Sequence, residues 1–178
     1  MTGGIEVSQR LEQWAKLAGY TLTTGPSTND GRPLFWSALG ETRLFIGRGQ
    51  DGWFVITDSD RMESEMFVLA APSIETIEKY LFGKFGMYIR NIRGLPRVGV
   101  PAAANEVSPE FNMETRDYEG VERFALISRD GSTVAIGSAD KVTATAELRK
   151  LALYSASTID QIEASALDPD GKPLFERR

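Results

Sequence analysis

The stretch from Gly52 to Gly86 constrains the fold most, because strand, charged link, strand and helix signals follow one another there without a gap. Trp53–Thr57 is a short run of aromatic and β-branched residues and Met66–Ala70 is a second apolar run, so both are predicted as buried strands. Between them, Asp58-Ser59-Asp60-Arg61-Met62-Glu63-Ser64-Glu65 carries too much charge for a core and is expected as an exposed loop. Pro72 ends the second strand, Ser73 can cap, and Glu75 and Glu78 suit the positive end of a helix dipole. Ile74, Ile77, Leu81 and Phe85 then recur three to four residues apart, which predicts a helix with one stripe packed on the sheet. Gly83 and Gly86 are expected near its end as caps. They do not make a phosphate cradle, since neither a Walker spacing nor GxGxxG follows a strand here.

Composition removes whole classes of chemistry. The 178 residues include no Cys and no His, which excludes disulfides, thiolate sites, His-based metal centres and Ser-His triads. A net charge of −5 argues against nucleic acid, whose partners neutralise phosphates with a basic face. With 42% hydrophobic residues, three Trp and nine Phe, a true core is expected rather than disorder. Met1–Val7 lacks the basic start and apolar centre of a signal peptide, and no run is long enough to span a membrane; a cytoplasmic protein is the expectation.

Taken in order, Val7, Leu11, Trp14 and Leu17 or Ala18 mark an amphipathic helix closed by Gly19. Tyr20–Thr24, Leu34–Ala38, Thr42–Gly47 and Trp53–Thr57 read as strands of a meander, with a dense turn signal over Gly25–Gly31. The Gly- and Pro-bearing stretch Arg93–Glu110 reads as a connecting segment. Beyond it, Phe111–Arg116, Val121–Ser128 and Thr133–Ser138 read as strands, with Asp130-Gly131 as a hairpin signal. Asp140 opens a helix through Ala144, Leu148, Leu151 and Ser155, and Ser157 with Asp160 reads as a capping box for a final short helix. The fold class expected is α+β, one antiparallel sheet or two small ones with flanking helices. If it divides, it divides into 1–92, the connecting segment 93–110, and 111–178, although one compact domain overall is the favoured organisation. Asp30-Gly31-Arg32-Pro33-Leu34-Phe35 echoes Asp170-Gly171-Lys172-Pro173-Leu174-Phe175. Convergent turn chemistry is the favoured explanation over duplication, because the halves do not align elsewhere.

Few constellations carry chemistry. Asp58-Ser59-Asp60 opens like a calcium loop, but Glu63 stands sixth where glycine is needed and Leu69 twelfth where glutamate is needed. A solvated charged loop is the favoured reading, and a protein-binding surface is preferred to a catalytic one. From Lys79 to Arg97 every charge is basic, so Lys84, Arg90, Arg93 and Arg97 either face solvent or grip an acidic partner. Trp36 and Trp53 are expected in the core; exposed, either becomes an interface anchor. No residue is assigned to catalysis, a cofactor or a metal.

Four ordered blocks carry a resemblance: Ser27-Thr28-Asn29-Asp30-Gly31-Arg32, Gly52 through Met62, Ile77-Glu78-Lys79-Tyr80-Leu81-Phe82-Gly83-Lys84-Phe85-Gly86, and Asp170 through Phe175. In order and separation they resemble the mycobacterial immunity factors for tuberculosis necrotizing toxin, over nearly the whole chain and least in the connecting segment and between Glu106 and Gly120. The resemblance implies a cytosolic antitoxin rather than an enzyme. It would bind a secreted NAD glycohydrolase toxin in a 1:1 complex, without cofactor, nucleic acid or membrane, and would block its active site against NAD depletion. An NAD pocket presents cationic and donor groups, so acidic acceptors suit its inhibitor. On that reasoning Asp58, Asp60, Arg61 and Glu63 are expected at the toxin-facing surface, with Lys84, Arg90 and Arg93 as further contacts. The competing expectation is a small-molecule-binding or chaperone-like module using a sheet face as a groove.

Overall fold

Helix α1 (Gln9–Leu17) begins where Ser8 Oγ accepts the Leu11 N–H at 3.2 Å, and it ends before Gly19 turns left-handed at φ 85°. The structure is a computed structural model, and it describes residues 4–101 and 110–178. Strands β1 (Thr21–Thr23), β2 (Leu34–Ser37), β3 (Thr42–Arg48), β4 (Phe54–Asp60) and β5 (Met66–Ala71) make the expected antiparallel meander, and α2 (Ile74–Ile92) follows. After β6 (Val98–Gly99) come β7 (Phe111–Tyr118), β8 (Val121–Ser128), β9 (Thr133–Ile136), α3 (Lys141–Ser155), α4 (Ile159–Leu167) and β10 (Glu176–Arg177). Part of the expected connecting segment, 102–109, lies outside the described residues.

The α+β expectation holds, with one large sheet in place of two small ones. Strand order is β1-β2-β3-β4-β5-β9-β8-β7, so β5 of the first half pairs with β9 of the second at Ala70 and Ile136. A separate two-stranded ladder joins β10 to β6.

Period-two alternation decides which side chains go inward. In β3, Leu44 and Ile46 are buried while Arg43 and Phe45 point to the other face. Phe35, Ile56, Leu69, Leu126 and Ala135 join them under the helices, where Leu11, Trp14, Ile77, Leu81, Phe85, Leu148, Leu151 and Ile162 complete the core. All four α-helices of the described residues supply that core. The opposite face has a smaller cluster built from strand residues and Trp53, and among the described residues no helix contributes to it.

Helix α2 runs six residues past Gly86, so its glycines are not caps. A Cβ on Gly83 would overlap the Tyr154 ring, and one on Gly86 would lie 2.9 Å from Ala166 Cβ. Both glycines let α2 approach α3 and α4 closely. The capping box of α4 also sits one residue later than expected, with Thr158 accepting the Gln161 N–H and Gln161 Oε1 accepting the Thr158 N–H. The echoed segments share a left-handed glycine, φ 82° at Gly31 and 77° at Gly171, and each ends in a buried Phe. Their hydrogen bonding differs: Arg32 N–H donates to Asp30, whereas Lys172 N–H donates to Asp168.

Candidate partner-binding surface

Strand β4 does not stop at Thr57. Asp58, Ser59 and Asp60 continue the ladder opposite Leu44, Arg43 and Thr42, so the expected eight-residue loop shrinks to a turn and a short extended arm. Ser59 is buried because its hydroxyl is fully used, donating to the Glu63 carbonyl at 2.6 Å and accepting from Arg43 Nη2 at 3.1 Å. Asp58 and Asp60 share the helix-side face with Leu44 and Thr42. Burial raises the Asp58 carboxyl above the usual range, opposed by the Lys84 charge and helped by Asp60. Lys84 sits 5.6 Å above the Tyr88 ring, which stacks on Tyr20 at 5.7 Å. The Tyr20 hydroxyl is pushed up to about 12, first by burial and then by Tyr88. Asp58, Asp60 and Lys84 therefore converge at one corner of the molecule.

The tip of the β4–β5 hairpin is strained. Arg61 and Met62 take φ of 48° and 65°, while Glu63 N–H closes the turn onto the Asp60 carbonyl at 2.8 Å. Such two-residue turns ordinarily use Asn-Gly, because side chains are disfavoured in the left-handed region. Arg61 and Glu63 are exposed, as expected, and between and beside them Met62 is 77% and Met66 66% exposed.

Arg32 fastens this hairpin to the turn before β2. Its guanidinium bonds Asp30 at 2.6 and 2.9 Å and Glu65 at 2.6 and 2.9 Å, holding both carboxylates below their usual range. It also lies 4.3 Å over the Phe45 ring. Beside this clamp a cleft of about 540 Å³ opens on the helix-free face, lined by Trp36, Phe45, Arg43 and the Ser27–Asp30 turn. Trp36 and Trp53 are only half-buried, and both lie on this face rather than in the main core. The signal for it was present in β2 and β3, where bulky residues occupy both parities: Phe35 and Leu44 inward, Trp36 and Phe45 outward. A larger cleft, about 690 Å³, lies elsewhere, between β6 and α3, with Lys141, Arg149, Lys150 and Arg178 in its wall.

Arg90 is not a surface residue. It is 3% exposed, and it donates to the carbonyls of Ser165, Ala166, Asp168, Pro96 and Pro169, so it caps the end of α4 and ties down both loops beside it. Burial, acting first, lowers its pKa. The reading of Arg90 as a solvated or partner-gripping cation is thus corrected; four of its five acceptors come from the distant segment 165–169, which no local pattern reveals. Arg93 is exposed at the end of α2, roughly 14 Å along the axis from Lys84, and stands apart from the hairpin corner. Among the described residues, no group of three or more acidic side chains is placed to hold a metal ion, and no helix is long and apolar enough to cross a membrane.

Comparison with known proteins gives this surface a context. The chain is 41% identical over 175 residues to the "Immunity factor for TNT" of Mycobacterium tuberculosis (strain ATCC 25618 / H37Rv), covering 98% of this chain and 96% of the relative. The "Immunity factor for TNT homolog" of Mycobacterium bovis (strain BCG / Pasteur 1173P2) matches to the same extent, 41% over 175 residues. The solved structure titled "Rv3902c from M. tuberculosis" superimposes with a TM-score of 0.88 at 40% identity, covering 99% of this chain and 98% of that one. The family model described as Immunity protein 61 matches residues 14–174, and the chain belongs to that immunity protein family.

Proposed function

We propose that this chain is the antitoxin of an NAD glycohydrolase toxin, binding one toxin domain per chain and blocking its active site in the cytoplasm of the producing cell. The observation that carries this reading is identity of 41% along 98% of the chain with a protein named as the immunity factor for TNT. Composition agrees with an inhibitor: with no His and no Cys, the chain lacks the commonest general base and thiol nucleophile. Its net charge of −5 suits a protein partner better than nucleic acid.

On this reading the β4–β5 hairpin corner meets the toxin. Asp60, Arg61 and Glu63 form the exposed tip, and Asp58 and Lys84 flank it. Arg93 is a peripheral contact at most, given its distance along α2, and Arg90 takes no part. Carboxylates at the tip complement the donors that an NAD site must offer to a pyrophosphate.

The test is NAD hydrolysis by a TNT-type toxin domain titrated with this protein, with calorimetry alongside. Inhibition complete at one equivalent is expected. Absence of both inhibition and heat against the cognate toxin defeats the proposal. Joint replacement Asp58→Ala and Asp60→Ala should weaken binding by about tenfold or more. A change within about threefold removes the hairpin corner from the interface.

A further inference from the structure

We propose that the helix-free face of the eight-stranded sheet is a second part of the toxin-docking surface, where Arg43 and Arg123 receive carboxylates of the toxin. This rests on the immunity reading above.

Among the described residues, four α-helices bury one face of the sheet, and no helix contributes to the apolar cluster on the other. The second face nonetheless carries what interfaces are built from. Trp36 and Phe45 line the cleft at its β2–β3 end, and Trp53 and Phe67 pack against Tyr118 towards β7, with ring centroids 5.9 Å apart in both pairs. Half-buried aromatics and arginines of this kind dominate binding energy in protein interfaces.

The cations on this face divide into two sorts. Arg32 is saturated by Asp30 and Glu65, and Arg116 bonds Glu114 at 2.6 Å. Arg43 and Arg123 are different. Each has a buried Nε with no hydrogen-bond acceptor, and neither forms an ion pair among the described residues. Arg43 donates to the Ser59 hydroxyl and lies 5.5 Å from the Phe45 ring centroid, while Arg123 lies 3.8 Å over the Phe67 ring with Glu119 near enough to attract it but not to pair. A guanidinium N–H buried without an acceptor costs free energy in the isolated protein. Both side chains are only half-buried, so a docked carboxylate can pair with the accessible part of each guanidinium and supply the countercharge that the fold does not. In a chain of net charge −5, with carboxylates in excess, leaving these two arginines unpaired selects an acidic partner surface. They lie on β3 and β8, four strand steps apart, or roughly 19 Å along the sheet, so one toxin domain can span both. The turn residues Arg61, Met62 and Glu63, at the tip of the β4–β5 hairpin, would then address the NAD pocket while the aromatic sheet face, through Arg43 and Arg123, holds acidic groups beside it. This two-signed arrangement also fixes the orientation of docking.

The experiment measures toxin affinity and inhibition with the full chain and with Arg43→Glu, Arg123→Glu and, as a control on the helix side, Lys16→Glu. Each arginine reversal should weaken binding by at least about 30-fold and lower mainly the lifetime of the complex, with the control within about threefold. Affinity within about threefold for both reversals, while the unaltered chain inhibits fully, overturns the docking face and leaves the immunity reading intact. Failure of the unaltered chain to bind defeats both. Should a reversal prevent folding, hydroxyl-radical footprinting of the unaltered chain with toxin decides. Protection of Trp36, Trp53 and Phe67 with Ile92 and Val142 unprotected supports the proposal, and the opposite pattern overturns it.

Discussion

Arg61 and Met62 hold the least favourable backbone of the hairpin, consecutive left-handed residues with full side chains at φ 48° and 65°. Each such residue costs about 1 kcal/mol or more relative to glycine. Substituting Arg61→Asn with Met62→Gly should therefore raise stability by about 1 kcal/mol, read as an upward shift in denaturant midpoint without a change of slope. The same pair should lose toxin affinity by about tenfold, because Met62 at 77% exposure is the largest apolar group the tip presents. Stabilised folding with unchanged affinity would remove Met62 from the interface. Part of this was legible beforehand: the charge of Asp58–Glu65 placed the segment at the surface. What was not legible is that Asp58, Ser59 and Asp60 stay in strand. Their ladder partners Leu44, Arg43 and Thr42 belong to β3, and the bonds that make Ser59 buriable come from Arg43 and the Glu63 carbonyl.

At the scale of elements, α2 is held by two features that a helical pattern hides. Gly83 and Gly86 read as stops, yet they are surfaces against which the Tyr154 ring and Ala166 pack. Arg90 reads as one more member of a basic run, yet it serves five carbonyls and lies within the fold. Replacing Arg90→Met keeps much of the volume but leaves buried carbonyls at the end of α4 without donors. The expected cost is about 3 kcal/mol, measured by chemical denaturation. Toxin affinity of the fraction that remains folded should be unchanged, which separates this arginine from Arg43 and Arg123. Two of the four helix starts were legible, at Ser73 and Asp140, and so was the end of α1 at Gly19. Ser73 and Asp140 each accept a backbone N–H at the first turn of their helix, and this is local chemistry that sequence records directly.

For the whole molecule, the decisive contact is the join of β5 to β9 through Ala70 and Ile136. It places both halves of the chain in one sheet and under one set of helices. Unfolding should accordingly be a single cooperative event, with far-ultraviolet and near-ultraviolet signals melting together; two separated transitions would restore a division near residue 93–110. The fold class was readable because most of the sheet is built from hairpins between neighbours in sequence. The uncovered face was not, since alternation identifies two sides of a strand without saying which of them a helix will cover.

The helical layer carries most of the packing, and the open face of the sheet carries aromatics and cations that lie outside that core. Substitutions at outward positions such as Trp36 or Phe45 leave the helix-packed core untouched. A lineage whose toxin changes its surface can follow it there step by step, altering recognition while the scaffold beneath stays intact. The freedom to keep pace with a changing adversary is built into the lopsidedness of the fold.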